Sequence, residues 1–209
     1  MTAIYVTPWR IDVTIRDVVT DAHGGRRPVA TAPLVRAIAA ALDASGAPAP
    51  ASVGLILADD AELTGLNETH LGHEGATDVL SFPLLPPEAF PPHDGDTDRG
   101  HASRSGDPRG PGDARGPGDA RGPGDAAFFA GPPGQRVHLG DIVVSVERAR
   151  EQADEGRGGQ TGDVRWSVAE ELRLLVTHGT LHICGWDHAD PAEETAMREL
   201  EQRLLAAGR

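Results

Sequence analysis

Lysine is absent from this 209-residue chain, and all 19 basic side chains are arginine, a usage we read as genome composition bias. The single cysteine, Cys184, excludes an internal disulfide framework and fits a reducing compartment. Aromatic residues make up only 4% of the chain, against 26 glycines and 17 prolines. That balance suits one domain with a core, plus a stretch that does not pack. No apolar run approaches the length of a membrane span. Residues 1–20 contain Arg10, Asp12, Arg16 and Asp17, so neither a signal peptide nor a membrane partner is expected. Positive charge is also scarce. The net charge of −13 argues against a broad basic surface for nucleic acid, and no DNA partner is expected. A local arginine-lined cleft is still allowed. The expected location is the cytoplasm.

What is present divides into one folded unit, residues 1–85 and 137–209, and an insertion over 86–136. Ile11, Val13 and Ile15 alternate with Asp12, Thr14 and Arg16, which predicts a half-buried strand over 10–18. Leu34, Ile38, Ala41 and Leu42 recur at helical spacing and predict a helix over 33–44. Ser52–Ala58 is a short apolar run suited to a buried strand. Asp59 or Asp60 caps a helix carrying Leu63 and Leu66. Thr77–Phe82 and Val137–Val146 are strand-like and can pair as a hairpin with a lengthened loop. Such lengthening is mild, because closure entropy grows only logarithmically with loop length. The insertion contains six-residue repeats, GDPRGP from Gly106 and GDARGP from Gly112 and Gly118, without the apolar residues to bury a core. It reads as disordered and solvated. With eight acidic and six basic residues between Glu88 and Arg136, it contributes little to the net charge, which belongs to the folded part.

After the insertion, residues 147–154 read as a helix, and Ser167-x-x-Glu170 is a capping box that opens another over 168–184. Asp190-Pro191 opens a last helix with Met197, Leu200 and Leu204 along its apolar edge. Short strands among these helices imply an α+β fold: a small mixed β-sheet packed with helices, with a histidine-bearing helix in the core.

That helix carries the chemistry. His178, His182 and His188 are three of the nine histidines and fall within eleven residues. A spacing of four puts His178 and His182 on one helical face. Gly185 can turn the chain back at little steric cost, bringing in His188 as a third ligand. Burying three unpartnered imidazoles costs several kcal/mol, whereas a metal ion satisfies one nitrogen of each. Three imidazoles with an open fourth position describe a catalytic zinc site, so one Zn2+ per chain is the expected cofactor.

The spacing coincides with the metzincin protease pattern H-E-x-x-H-x-x-G-x-x-H, Gly185 included. The glutamate that serves there as general base is Gly179 here, so the cradle is present and the protease base is not. The whole stretch His178-Gly-Thr-Leu-His182-Ile-Cys-Gly185-Trp-Asp187-His188 resembles the signature of the bacterial YbeY family of single-strand endoribonucleases. Leu66-Asn67, Thr77-Asp-Val-Leu-Ser-Phe-Pro83 and Leu139-Gly-Asp-Ile142 agree with it, and the resemblance covers nearly all of the chain outside the insertion. It implies an α+β fold, zinc on His178, His182 and His188, and action in 16S rRNA 3′-end maturation and ribosome quality control. The small ribosomal subunit and its RNA are the implied partners. The acidic charge is better explained by docking to basic ribosomal proteins than by free RNA binding, so these are expected partners too.

Where many members of that family carry an arginine, this chain has Leu71. Offsetting charge on a scissile phosphate then falls to His70, His73, Arg165 or Arg173, among which the residues do not choose. Asp187 reads first as the carboxylate that orients a ligand histidine, with general base as the alternative. Asp78 and Asp141 read as loop or strand-end caps, Cys184 as a core thiol, and Trp186 as a turn-packing residue or a base-stacking platform. Two other functions share the same cradle: a metallopeptidase-like hydrolase, and a non-catalytic ribosome-assembly factor stabilised by zinc.

Overall fold

The alternating and apolar runs become neighbouring strands in the computed structural model, which describes residues 1–16, 19, 29–72, 75, 77–93, 136–155, 167–188 and 190–208. The strands are β1 (Thr2–Val6), β2 (Trp9–Ile15), β3 (Ala51–Ala58), β4 (Val79–Pro83) and β5 (Val137–Ser145). The helices are α1 (Thr31–Ala44), α2 (Asp60–Leu71), α3 (Val146–Glu155), α4 (Val168–Ile183) and α5 (Pro191–Ala207). The sheet order is β1-β2-β3-β5-β4. Both outer pairs are antiparallel and the central pairs β2–β3 and β3–β5 are parallel, so the sheet is mixed and the fold is α+β.

The parallel centre follows from burial. β3 is buried along almost its whole length, which its continuous apolar run SVGLILA allows on both faces. Ile11, Val13, Val53, Leu55 and Leu57 meet Leu34, Ile38 and Leu42 of α1 and Leu172, Leu175, Val176 and Leu181 of α4 in one core. Each such side chain contributes about 1.5–3 kcal/mol when fully buried. The histidine helix α4 packs on α1, α3, α5, β4 and β5, and is as central as its apolar composition requires.

Alternation along β4 splits the sheet's two faces. Ser81 and Val79 lie against Gly179 of α4. Leu80 and Phe82 turn the other way and pack with Leu63 and Leu66 of α2 and Val143. β4 pairs with β5 from Val79↔Val144 to Pro83↔Gly140, the hairpin anticipated from their patterns. Asp59 caps α2 by accepting from the Glu62 N–H at 2.9 Å, and Gly72, with φ of 67°, ends it.

Two features differ from the sequence reading. β1, which the sequence reading passed over, forms a hairpin with β2; its run Ala3-Ile4-Tyr5-Val6 is apolar, yet Thr2, Ala3 and Tyr5 are exposed and only Ile4 and Val6 are half-buried, as an edge position allows. Residues 87–93, placed by composition in the insertion, pack on the domain: Pro87–Ala89 is a 3-10 turn and Phe90 is 4% exposed. The repeats themselves lie outside the described residues.

Candidate metal centre

Ser167 and Glu170 form both halves of the capping box, fixing the start of α4 and hence the phase of everything along it. Four residues apart, His178 and His182 emerge on one face with ring centroids 4.5 Å apart. The helix ends at Ile183, and Gly185, with φ of 85°, turns the chain back. The Gly185 N–H donates to His182 O and the Trp186 N–H to Leu181 O, closing a tight cap. Beyond it His188 reaches its two partners, with centroids 5.1 Å from His182 and 6.2 Å from His178. One nitrogen from each of the three rings falls within a common span of 4.8 Å.

The outer nitrogens are engaged. His178 Nδ1 lies 2.6 Å from Glu201 Oε1 of α5, and His182 Nδ1 lies 2.8 Å from the Trp186 carbonyl. A carboxylate oxygen and a carbonyl oxygen both accept, so each Nδ1 carries the hydrogen and each Nε2 presents its lone pair inward. The two Nε2 atoms stand 2.9 Å apart. Nitrogens at about 2.0–2.1 Å from one tetrahedral zinc would stand roughly 3.3 Å apart. Two lone pairs aimed at one point, with their hydrogens committed elsewhere, fit a cation. Burial, and next the adjacent His178, lowers the His182 pKa to about 4, which keeps that ring neutral and available as a ligand.

The turn bearing His188 is pinned from several sides. The Asp187 N–H donates to Glu193 Oε1 at 2.7 Å, and the His188 N–H to Asp187 Oδ1 at 2.7 Å. His93 Nε2 lies 3.3 Å from Gly185 O. The site is open on one side, because the His188 side chain is 56% exposed and that of His178 31%. An open side is what a substrate-accepting centre needs and a closed structural one lacks.

Other residues singled out from sequence fall elsewhere. Asp187 sits with Oδ1 3.9 Å from His188 Nδ1; among the described residues, the carboxylate at hydrogen-bond distance from one of the three rings is Glu201. Arg173 points to the end of α5, donating to Leu205 O at 3.3 Å. His70 packs edge-on against Phe82, on the sheet face opposite α4. His73 and Arg165 lie outside the described residues, as does the side chain of Leu71. Asp78 accepts from Gln152 Nε2, and Asp141 lies 3.2 Å from His138 Nε2. Cys184 is buried, and burial raises its thiol to about 12, so it is a core residue. Trp186 is 7% exposed and packs the turn.

Gly179 has a steric reason. A Cβ there would come within 2.9 Å of Ile142 Cγ2 and 3.0 Å of Ser81 Oγ, and Ser81 Oγ donates to the Gly179 carbonyl. The position that carries the protease glutamate in the metzincin pattern is pressed onto the sheet. No side chain fits.

Glu201 is the functional residue that sequence reasoning passed over. Its signal was present: with Met197, Leu200 and Leu204 it follows i, i+3, i+4, i+7 spacing, a carboxylate inside an apolar stripe, and it is 9% exposed.

A family model described as Endoribonuclease YbeY matches residues 28–208. Curated proteins named Endoribonuclease YbeY are similar to the chain. The one from Synechococcus sp. (strain CC9605) is 36% identical over 75% of this chain and 66% of its own length. That from Parasynechococcus marenigrum is 34% identical over 75% of this chain and 59% of its own. That from Salinispora tropica is 34% identical over 81% of this chain and 82% of its own. The alignments thus span less than two thirds of the length of the first two relatives and most of the third.

Proposed function

We propose, because this chain belongs to the YbeY endoribonuclease family, that it is a zinc-dependent, single-strand-specific endoribonuclease acting in rRNA processing, at the 3′ end of 16S rRNA, and in ribosome quality control. The observation that carries the reading is the convergence of His178, His182 and His188, with two outer nitrogens already committed to acceptors. The chemistry a bound zinc supplies is Lewis acidity, towards water or a phosphoryl oxygen. The chain's own part is to hold the three rings. α4 sets the spacing of two, Glu201 and the Trp186 carbonyl fix their tautomers, and Glu193 with His93 holds the turn that delivers the third. Asp187, exposed beside His188, is the carboxylate nearest the open side among those the sequence singled out and is the proposed proton acceptor. The charge that offsets the phosphate falls to His73 or Arg165 in preference to Arg173 and His70, whose contacts lie elsewhere. Ribosomal RNA, the small subunit and ribosomal proteins are the proposed partners, in the cytoplasm; among the described residues no helix is long and apolar enough to cross a membrane. Residues 100–126, within the insertion, are proposed to be dispensable for folding and metal content.

The peptidase alternative is disfavoured by the packing of Gly179, which leaves no room for a general base next to His178. His182→Ala and His188→Ala variants test the proposal: each is expected to lose zinc and cleavage of single-stranded RNA together. Full cleavage by a zinc-free double variant would overturn the proposal, and chelator-sensitive peptide cleavage without RNA cleavage would favour the peptidase. Loss of ribosome association and thermal stability in these variants, with a wild type that cuts no RNA, would favour the assembly factor.

A further inference from the structure

Behind the turn that carries His188 lies a second concavity of about 350 Å³, within the size range of small-molecule sites. Asp43 and Ser45 at the end of α1, His93, Trp186, and Leu200 and Arg203 of α5 contribute to its lining. It shares its partition with the metal centre. The Trp186 carbonyl receives His182, and Trp186 also contributes to the pocket lining. On α5, Glu201 holds His178 while its neighbours Leu200 and Arg203 face the pocket.

Polar groups in this wall are short of donors. The His93 side chain is 8% exposed and stacks on Trp186 with centroids 3.9 Å apart and planes at 10°. Its Nε2 faces two oxygens, Gly185 O at 3.3 Å and Glu193 Oε1 at 3.5 Å, so Nε2 carries the hydrogen. Nδ1 is therefore an acceptor, and it is buried with no hydrogen-bond partner among the described residues. A buried acceptor left unpaired is unfavourable until a donor reaches it. Asp43 adds a carboxylate, one oxygen of which accepts from Trp9 Nε1 at 2.8 Å. Arg203, exposed at the rim, supplies the cation.

We propose that this pocket is a base-binding subsite that takes an unpaired, amino-bearing nucleobase of the RNA strand whose backbone reaches the metal centre. The inference rests on the endoribonuclease reading and deepens it. The exocyclic amino groups of adenine, cytosine and guanine are donors that match His93 and Asp43, whereas uracil has no amino group and holds its one edge donor, N3–H, between two carbonyl acceptors. The planar ring suits the apolar lining of Pro91, Pro92 and Leu200, and Arg203 at the rim supplies a cation for a phosphate of the same nucleotide.

The test is fluorescence anisotropy of the zinc-loaded full chain with labelled, nuclease-resistant 2′-O-methyl octamers of adenosine and of uridine. The adenosine octamer is expected to bind about tenfold more tightly, the worth of one or two added hydrogen bonds. Asp43→Asn keeps an oxygen for Trp9 and turns an acceptor into a donor. It is expected to erase or reverse the preference with zinc content unchanged. Equal binding of both octamers by wild type, or an Asp43→Asn variant with the wild-type preference, overturns the subsite even where single-stranded RNA is still cut. A wild type that neither binds nor cuts any RNA overturns the subsite together with the nuclease reading beneath it.

Discussion

Replacing Glu201 with glutamine removes a negative charge from behind His178 while keeping an oxygen within reach of its Nδ1. The contact is short, 2.6 Å, and Glu201 is 9% exposed, so solvent screens it little. A hydrogen bond to a charged acceptor contributes about 1.5–3 kcal/mol and a neutral one about 0.5–1.5 kcal/mol. The difference, about 1–1.5 kcal/mol, is close to a tenfold change in an equilibrium constant. Because the bond fixes the hydrogen on Nδ1 and leaves Nε2 to the metal, the loss is expected in zinc affinity. Glu201→Gln should weaken zinc binding about tenfold, and Glu201→Ala, which leaves Nδ1 without its partner, nearer 100-fold, in the range found for partners of metal-bound histidines. Competition against a chromophoric chelator measures this, with thermal melts of the metal-free proteins to separate it from folding. Zinc affinities within twofold of wild type for both variants would refute the idea that Glu201 sets the tautomer of His178.

Gly179→Ala sets a methyl carbon 2.9 Å from Ile142 Cγ2 and is expected to lower stability by about 1–3 kcal/mol in urea unfolding; a neutral substitution would show that α4 is free to shift off the sheet. With its pKa lowered to about 4 in the folded state against 6.5 ordinarily, His182 resists a proton that the unfolded chain accepts between those values. The metal-free protein should therefore gain stability as pH rises from about 4 to 6.5 and lose up to about 3 kcal/mol as pH falls through that window. Urea unfolding of wild type against His182→Asn isolates this contribution, and identical pH slopes for the two would contradict it. Deleting residues 100–126 is expected to leave melting temperature and zinc content unchanged, and a large loss of melting temperature would show that the repeats pack.

Local rules made most of this fold legible. The capping box at Ser167, the N-caps at Asp59 and Asp190 and the alternation in β2 are short-range signals, and the structure carries each of them. The β4–β5 hairpin was legible across more than fifty residues because both strands kept their pattern on either side of the insertion. What stayed hidden depends on packing between distant segments. β1 hides because an edge strand can be mostly exposed, and Phe90 because prolines surround it. At the centre, the three histidines are close in sequence, whereas Glu201 is 23 residues from His178 and meets it only because α5 packs on α4. Asp187 drew attention by adjacency. In three dimensions its carboxylate first serves the backbone of its own turn.

The central claim is that the histidine centre holds zinc and that the metal-loaded chain cuts single-stranded RNA. Metal analysis of the purified protein, run alongside a cleavage assay on precursor 16S rRNA, tests it most directly. The account predicts about one zinc per chain and 3′-end cleavage that chelation stops and zinc restores. Cleavage that persists in metal-free protein, or a zinc-loaded protein that leaves the RNA intact, would contradict it.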